Sequence, residues 1–164
     1  MAPTADRPFE GYPAKGITWL RQIKTHNDRD WFLARKDVFE EAVKAPTEAL
    51  VLAVNTRLEN FAPAYVADPK KALTRIYRDV RFSKDKSPYN TYIGARFSHL
   101  GRPKEASAGF WLQISAQGLE LIGGSYQAAT PQLTKLRARL AEEHVAFGRL
   151  LKRKPLRDAM GELQ

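Results

Sequence analysis

The spacing of the apolar residues changes twice along the chain, and that change limits the fold more than any other feature. From Ile17 to Phe61 apolar side chains recur every three or four residues: Ile17, Leu20 and Ile23 first, then Leu50, Val54, Leu58 and Phe61. From Thr91 to Ile122 they recur every second residue. Thr91, Ile93, Ala95 and Phe97 alternate with Tyr92, Gly94, Arg96 and Ser98, and Phe110, Leu112 and Ile114 alternate with Trp111, Gln113 and Ser115. Side chains three and four apart share one helix face, whereas those two apart share one strand face. Ala116-Gln117-Gly118 supplies the glycine of a hairpin turn, and Leu119 to Ile122 returns as the partner strand. These connections are too short for crossover helices, so residues 74–122 form a small, mainly antiparallel sheet. Helical spacing resumes at Thr130. The order helix, sheet, helix predicts an α+β fold: N-terminal helices, a central sheet, and a C-terminal helix packed on it.

Local signals place the helix ends. The first helix runs from Lys15 to about His26. Asn27 is the expected cap of a second, with Asp28 and Asp30 in its first turn. Pro46 is expected to break that helix and open a third. Trp31 and Phe32 read as core. Thr130 as cap and Pro131 at the first position start a C-terminal helix whose Leu133, Leu136 and Leu140 form a buried stripe. Residues 1–14 hold three prolines and read as an irregular arm pinned by Phe9 and Tyr12. Residues 15–164 are expected to form a single domain.

Several chemistries are excluded early. There is no cysteine, which removes disulfides, thiolate metal sites and cysteine nucleophiles. His26, His99 and His144 lie far apart and fit no paired-ligand spacing, so no metal site is expected. No apolar run is long enough to span a membrane, and the N-terminus lacks a secretory core. Cytoplasmic location is the expectation. The net charge is +9, and residues 70–104 alone hold ten basic and two acidic groups. A field concentrated in this way attracts anions: a small anionic molecule, nucleic acid or an acidic protein.

That charge centres on residues 75–89, Arg-Ile-Tyr-Arg-Asp-Val-Arg-Phe-Ser-Lys-Asp-Lys-Ser-Pro-Tyr. Read as a strand, Arg75, Tyr77, Asp79 and Arg81 share one face, and Ile76, Arg78, Val80 and Phe82 the other. Asp79 then lies between two arginines, which favours its ionised form. Arg78, on the apolar face, must find a carboxylate or carbonyls and reads as structural. Pro88 turns residues 83–88 into a loop. Arg75 and Arg81 are candidate forked donors, Lys84 and Lys86 candidate point charges, and Tyr77 and Tyr89 candidate stacking rings. Gly123 and Gly124 could present amides to an anion, although a tight turn out of the sheet is the commoner reason for paired glycines. An enzyme would use Asp79 or Asp85 as general base or magnesium ligand. The opposing reading is an internal network of ion pairs with no ligand at all.

The stretch Arg75 to Phe82, followed by Ser83-Lys84-Asp85-Lys86-Ser87-Pro88-Tyr89, closely resembles the hallmark of the bacterial and fungal family called domain of unknown function 2461. The likeness extends to Asn27, Asp30, Trp31 and Phe32, to Pro46, and to the glycines at 123–124 followed by an aromatic. It covers roughly residues 16–164. The resemblance implies no particular reaction. It also implies that the family pattern continues beyond Gln164.

Overall fold

The structure is a computed structural model that describes residues 9–101, 108–125 and 128–161. The α+β class holds. Two units appear, Met1–Ser125 and Tyr126–Gln164. The first contains helices α1 (Ala14–Thr25), α2 (Arg29–Leu33), α3 (Lys36–Phe39), α4 (Ala45–Phe61) and α5 (Pro69–Ala72), then strands β1 (Tyr92–Ser98), β2 (Gly109–Ser115) and β3 (Gly118–Gly124). The strands form one antiparallel sheet in the order β1-β2-β3. The second unit holds α6 (Thr130–Glu142), α7 (His144–Leu151) and α8 (Lys154–Met160).

The core of the first unit follows the two periods in α1 and the first two strands, whereas in α4 the buried apolar positions are Val51 and Leu58, and Leu50 and Val54 of the expected stripe are half-buried. Trp19, Leu20 and Ile23 of α1, Phe32 of α2, and Val51 and Leu58 of α4 pack with Ile93, Ala95 and Phe97 of β1 and Leu112 and Ile114 of β2. Cross-strand pairing puts Leu119 opposite Ile114 and Leu121 opposite Leu112. Both therefore lie on the core-facing side of the sheet, yet Leu119 is 63% and Leu121 69% exposed. All seven residues of β3 are exposed. Phe61, expected to complete the α4 stripe, is also exposed. So is Leu136 of α6, whose unit holds no buried residue in any of its three helices. A unit of three short helices is too small to enclose a core of its own.

Pro46 does not break its helix. α3 and α4 are joined by a π-helical turn, Glu40–Lys44, in which the Ala45 N–H donates to the carbonyl of Glu40, five residues back. Proline has no N–H for the carbonyl four residues earlier and its ring crowds that carbonyl. The wider turn accommodates both problems. The carbonyl of Ala42 consequently leans on α1 at Gly16, where an added Cβ would lie 2.0 Å from the oxygen. The carbonyl of Val43 is met by the hydroxyls of Tyr12 at 2.8 Å and Thr47 at 2.7 Å. Tyr12 thus pins the N-terminal arm, as expected. Burial pushes its phenol up to about 12.

Candidate functional site

The stretch around residues 75–89 is an irregular hairpin, not a strand. Regular pairing is limited to two isolated bridges, Leu73 with Ala95 and Tyr77 with Tyr89. Asn90 N–H donates to the Ile76 carbonyl and Arg78 N–H to the Pro88 carbonyl, and there the ladder ends. Two causes stop it. Pro88 has no N–H to return. Beyond it, aspartate side chains take over the backbone donors: Asp79 accepts from the Arg81 N–H at 3.3 Å, and Asp85 from the Ser87 N–H at 2.9 Å. The in-out alternation survives as far as Val80. Phe82 then departs from its expected apolar face and stands 96% exposed.

One polar side chain and one aromatic stack hold the hairpin to the helices. Asn27 donates from Nδ2 to the Tyr89 carbonyl and accepts from the Tyr89 N–H at Oδ1, each at 2.9 Å. The amide thereby imitates one rung of a ladder across 62 residues. Asn27 is not the helix cap. Asp28 is, accepting from the Trp31 N–H at 2.9 Å. The Tyr89 ring stacks on Phe32 at 4.2 Å, which fixes the returning arm of the hairpin against α2.

Most of the charges on the hairpin are committed internally. Arg81 grips both oxygens of Asp79, at 2.9 and 2.6 Å, and holds that carboxyl below its usual range. Arg78 donates through Nη1 to Asp85 at 2.5 Å and to the Ser87 carbonyl at 3.2 Å. Asp85 also accepts from the Ser87 hydroxyl at 2.6 Å. The Ser87 hydroxyl and N–H, and then Arg78, hold its carboxyl well below the carboxylate range. Lys86 donates to the Val80 carbonyl at 3.0 Å. Arg75 and Lys84 have no ion-pair partner among the described residues. Tyr77 is exposed beside Tyr89.

A cleft of about 280 Å³ lies where the hairpin meets the end of α1 and the start of β1. Its cations are Lys24, in the last turn of α1, and Arg78. Asp85, Ser87 and Tyr89 of the hairpin and Asn90 to Tyr92 also line it. Of the residues singled out in the sequence, Asp85 and Tyr89 line this cleft. Arg75, Tyr77, Asp79, Arg81, Lys84 and Lys86 do not. Gly123 and Gly124 end β3, paired with Phe110 and Gly109, which in turn face Phe97 and Ser98. That end of β1 is about 17 Å from Tyr92 at the strand rise of roughly 3.3 Å per residue, so the glycines are not brought to the cleft. Lys24 carried no sequence signal. Arg78 did, but as a structural group only. No group of three histidine, aspartate or glutamate side chains among the described residues is placed to hold a metal.

The family model described as "Conserved hypothetical protein (DUF2461)" matches residues 15–164. The chain belongs to the DUF2461 family. No curated protein and no solved structure matches it. In this DUF2461 member, no helix among the described residues is long and apolar enough to cross a membrane. The motif that resembles the family hallmark is the hairpin itself, and Asn27, another residue of that resemblance, is the polar side chain that ties it down.

Proposed function

We propose that the cleft binds a small ligand bearing a phosphate or comparable anionic group. The observation that carries this reading is the state of Arg78. Its side chain is 26% exposed, and only Nη1 is committed, to Asp85 and the Ser87 carbonyl. Nε and Nη2 keep donors with no acceptor among the described residues, on a residue that lines the cleft. A half-buried guanidinium held along one edge presents a preorganised fork along the other, the geometry that oxyanions favour. Lys24 adds a second positive charge with no ion-pair partner among the described residues. The Thr91 hydroxyl and the remaining Nδ2 proton of Asn90 supply the short polar contacts that fix orientation in such sites.

The alternative of an enzyme using Asp79 or Asp85 as base has weaker support. Both carboxylates are engaged on both oxygens, and both are held ionised by their donors. A carboxylate so stabilised is a poor proton acceptor near neutrality. The two aspartates act better as braces for the arginines.

Thermal-shift titration tests the reading. Inorganic phosphate and a sugar phosphate should raise the melting temperature of the wild-type protein. Saturation at a hundredfold excess over Kd stabilises by about 2.7 kcal/mol, or roughly 5–10 °C for a chain of this size. Lys24→Gln removes an exposed charge without touching the core and should weaken binding about tenfold or more. Arg81→Ala should leave the shift unchanged. The absence of any shift with either compound at millimolar concentration would refute the proposal.

A further inference from the structure

The outer face of the sheet continues the cleft through one residue. Tyr92 lines the cleft and is also the first residue of β1, with its side chain on the face opposite Ile93 and Ala95. Its ring stands edge-on to Trp111 of β2, at 6.4 Å between centroids and 72° between planes. Trp111 lies over Gly94, where an added Cβ would meet the ring at 2.5 Å. One face of the indole is therefore pressed against the backbone of β1. Only a glycine at position 94 permits this. Arg96, directly opposite Trp111 in register, is exposed and has no ion-pair partner among the described residues. Ile122, the other neighbour of Trp111, is also exposed. The acidic group on this face, Glu120, is engaged by Gln113 at 3.1 Å.

We propose that this face receives a nucleobase, so that the phosphate-bearing ligand of the cleft is a nucleotide unit. The inference rests on the anion-binding reading above. It adds that the outer face of the Trp111 indole is the stacking surface, that Tyr92 stands across its edge as a wall towards the cleft, and that Arg96 sits at its far side. Each part matches one part of a nucleotide. Lys24 and the free edge of Arg78 answer the phosphate. The hydroxyl and amide rim answers the sugar. The outer indole face of Trp111, walled by Tyr92, answers the base, whose π-face stacks on aromatic rings irrespective of sequence. A sugar phosphate without a base would leave that face unused. A guanidinium beside it suits either a second stacked group or the next phosphate of a strand.

Calorimetric titration of the full chain with ribose phosphate, adenosine monophosphate and a short single-stranded oligoadenylate tests this. Adenosine monophosphate should bind more tightly than ribose phosphate by roughly 5- to 150-fold, the range that stacking one base supplies. Trp111→Leu should erase that advantage and leave ribose phosphate binding unchanged. In wild-type protein, where folding is not in question, adenosine monophosphate should quench tryptophan emission and ribose phosphate should not. Equal affinities for the two monomers, without quenching, overturn the nucleotide inference and leave the anion site standing. Failure of all three probes to bind overturns both. Much tighter, steeply salt-dependent binding of the oligoadenylate assigns the site to single-stranded nucleic acid. Equal binding of monomer and oligomer assigns it to a free nucleotide.

Discussion

The π-turn before α4 makes a quantitative prediction about coupling. The carbonyl of Val43 accepts hydrogen bonds from both Tyr12 and Thr47, whose oxygens lie 3.2 Å apart. Each hydroxyl has one proton, so the two serve the same acceptor in parallel. Tyr12→Phe removes one donor and leaves the other in place. The expected loss is about 1 kcal/mol, the net worth of an ordinary hydrogen bond. Thr47→Val removes the other with little change of shape and should cost a similar amount. The double variant strips a carbonyl in the helix interior of both side-chain donors. An unsatisfied buried acceptor adds roughly 1–3 kcal/mol, so the pair should lose about 1–2 kcal/mol more than the two single losses together. Urea denaturation of the four proteins measures the cycle. Simple additivity would refute the shared-acceptor account. The phenol gives an independent check. Its ionisation is pushed up to about 12, so burial favours the neutral form. That stability is complete below pH ~10, where the unfolded tyrosine titrates, and is lost as pH rises towards 12. The loss amounts to roughly 3 kcal/mol at about 1.4 kcal/mol per pH unit. Tyr12→Phe should flatten the alkaline limb.

Three further outcomes follow from the same geometry. Gly16→Ala places a methyl 2.0 Å from the Ala42 oxygen, a backbone atom that moves only with its helix. It should destabilise by about 3 kcal/mol, and an unchanged urea midpoint would contradict the close approach of α1 to the π-turn. Asn27→Ala leaves the N–H and carbonyl of buried Tyr89 without partners and should cost roughly 2–4 kcal/mol. Amide exchange at Tyr89 should accelerate with it, and continued protection there would show that something else holds the hairpin. Asp79 and Asp85 both titrate below their ordinary range. Their contribution is present above the unfolded carboxylate value of about 4 and is lost as pH falls below it. The urea midpoint should therefore fall below pH ~4, less steeply in Asp85→Asn, and a midpoint that stays level down to pH ~2 would contradict the pairing.

The longer helices of the first unit and the strands β1 and β2 were legible because they bury one face each, whereas β3, exposed along its length, was legible from its hairpin turn. Burial imposes a period, and a period can be read without knowing what covers it. Leu20 and Ile23 of the expected α1 stripe and Ile93, Ala95 and Phe97 of β1 are cases in point, while Ile17 is half-buried and its neighbour Trp19 takes the core place. The misreadings fall where side chains replace backbone partners. At Pro46 the expected break is absorbed by a π-turn that makes room for the ring, and Tyr12 and Thr47 brace that turn at the neighbouring Val43 carbonyl. At residues 79–87 the expected strand and loop are reshaped by Asp79 and Asp85 capturing local N–H groups. At Asn27 the expected cap is spent on Tyr89, and the neighbouring aspartate caps instead. Each is a side chain with two plausible backbone targets, and local spacing does not choose between them. The cleft was hidden for a different reason. Lys24 and Arg78 stand 54 positions apart in the sequence and become neighbours only once the hairpin folds back beneath α1.

That folding back also decides what the positive charge of the middle region can do. Arg81 is neutralised by the residue two before it, and Lys86 is satisfied by a carbonyl of its own turn. These are the strongest-looking cations of the motif, and they are the ones spent on its shape. Arg78 differs because its carboxylate partner is itself shared. Asp85 gives Oδ1 to Ser87 and only Oδ2 to the guanidinium, so Arg78 is anchored at one nitrogen and not enclosed. Without the Ser87 hydroxyl, Oδ1 of Asp85 keeps only the backbone N–H of residue 87, and the loosened carboxylate can turn further towards Arg78, nearer the bidentate grip that Arg81 has on Asp79. Ser87→Ala should then weaken phosphate binding while leaving the fold intact, although the hydroxyl need not touch the ligand. Retention of full phosphate affinity by Ser87→Ala would show that the free edge of Arg78 does not depend on how its aspartate is held.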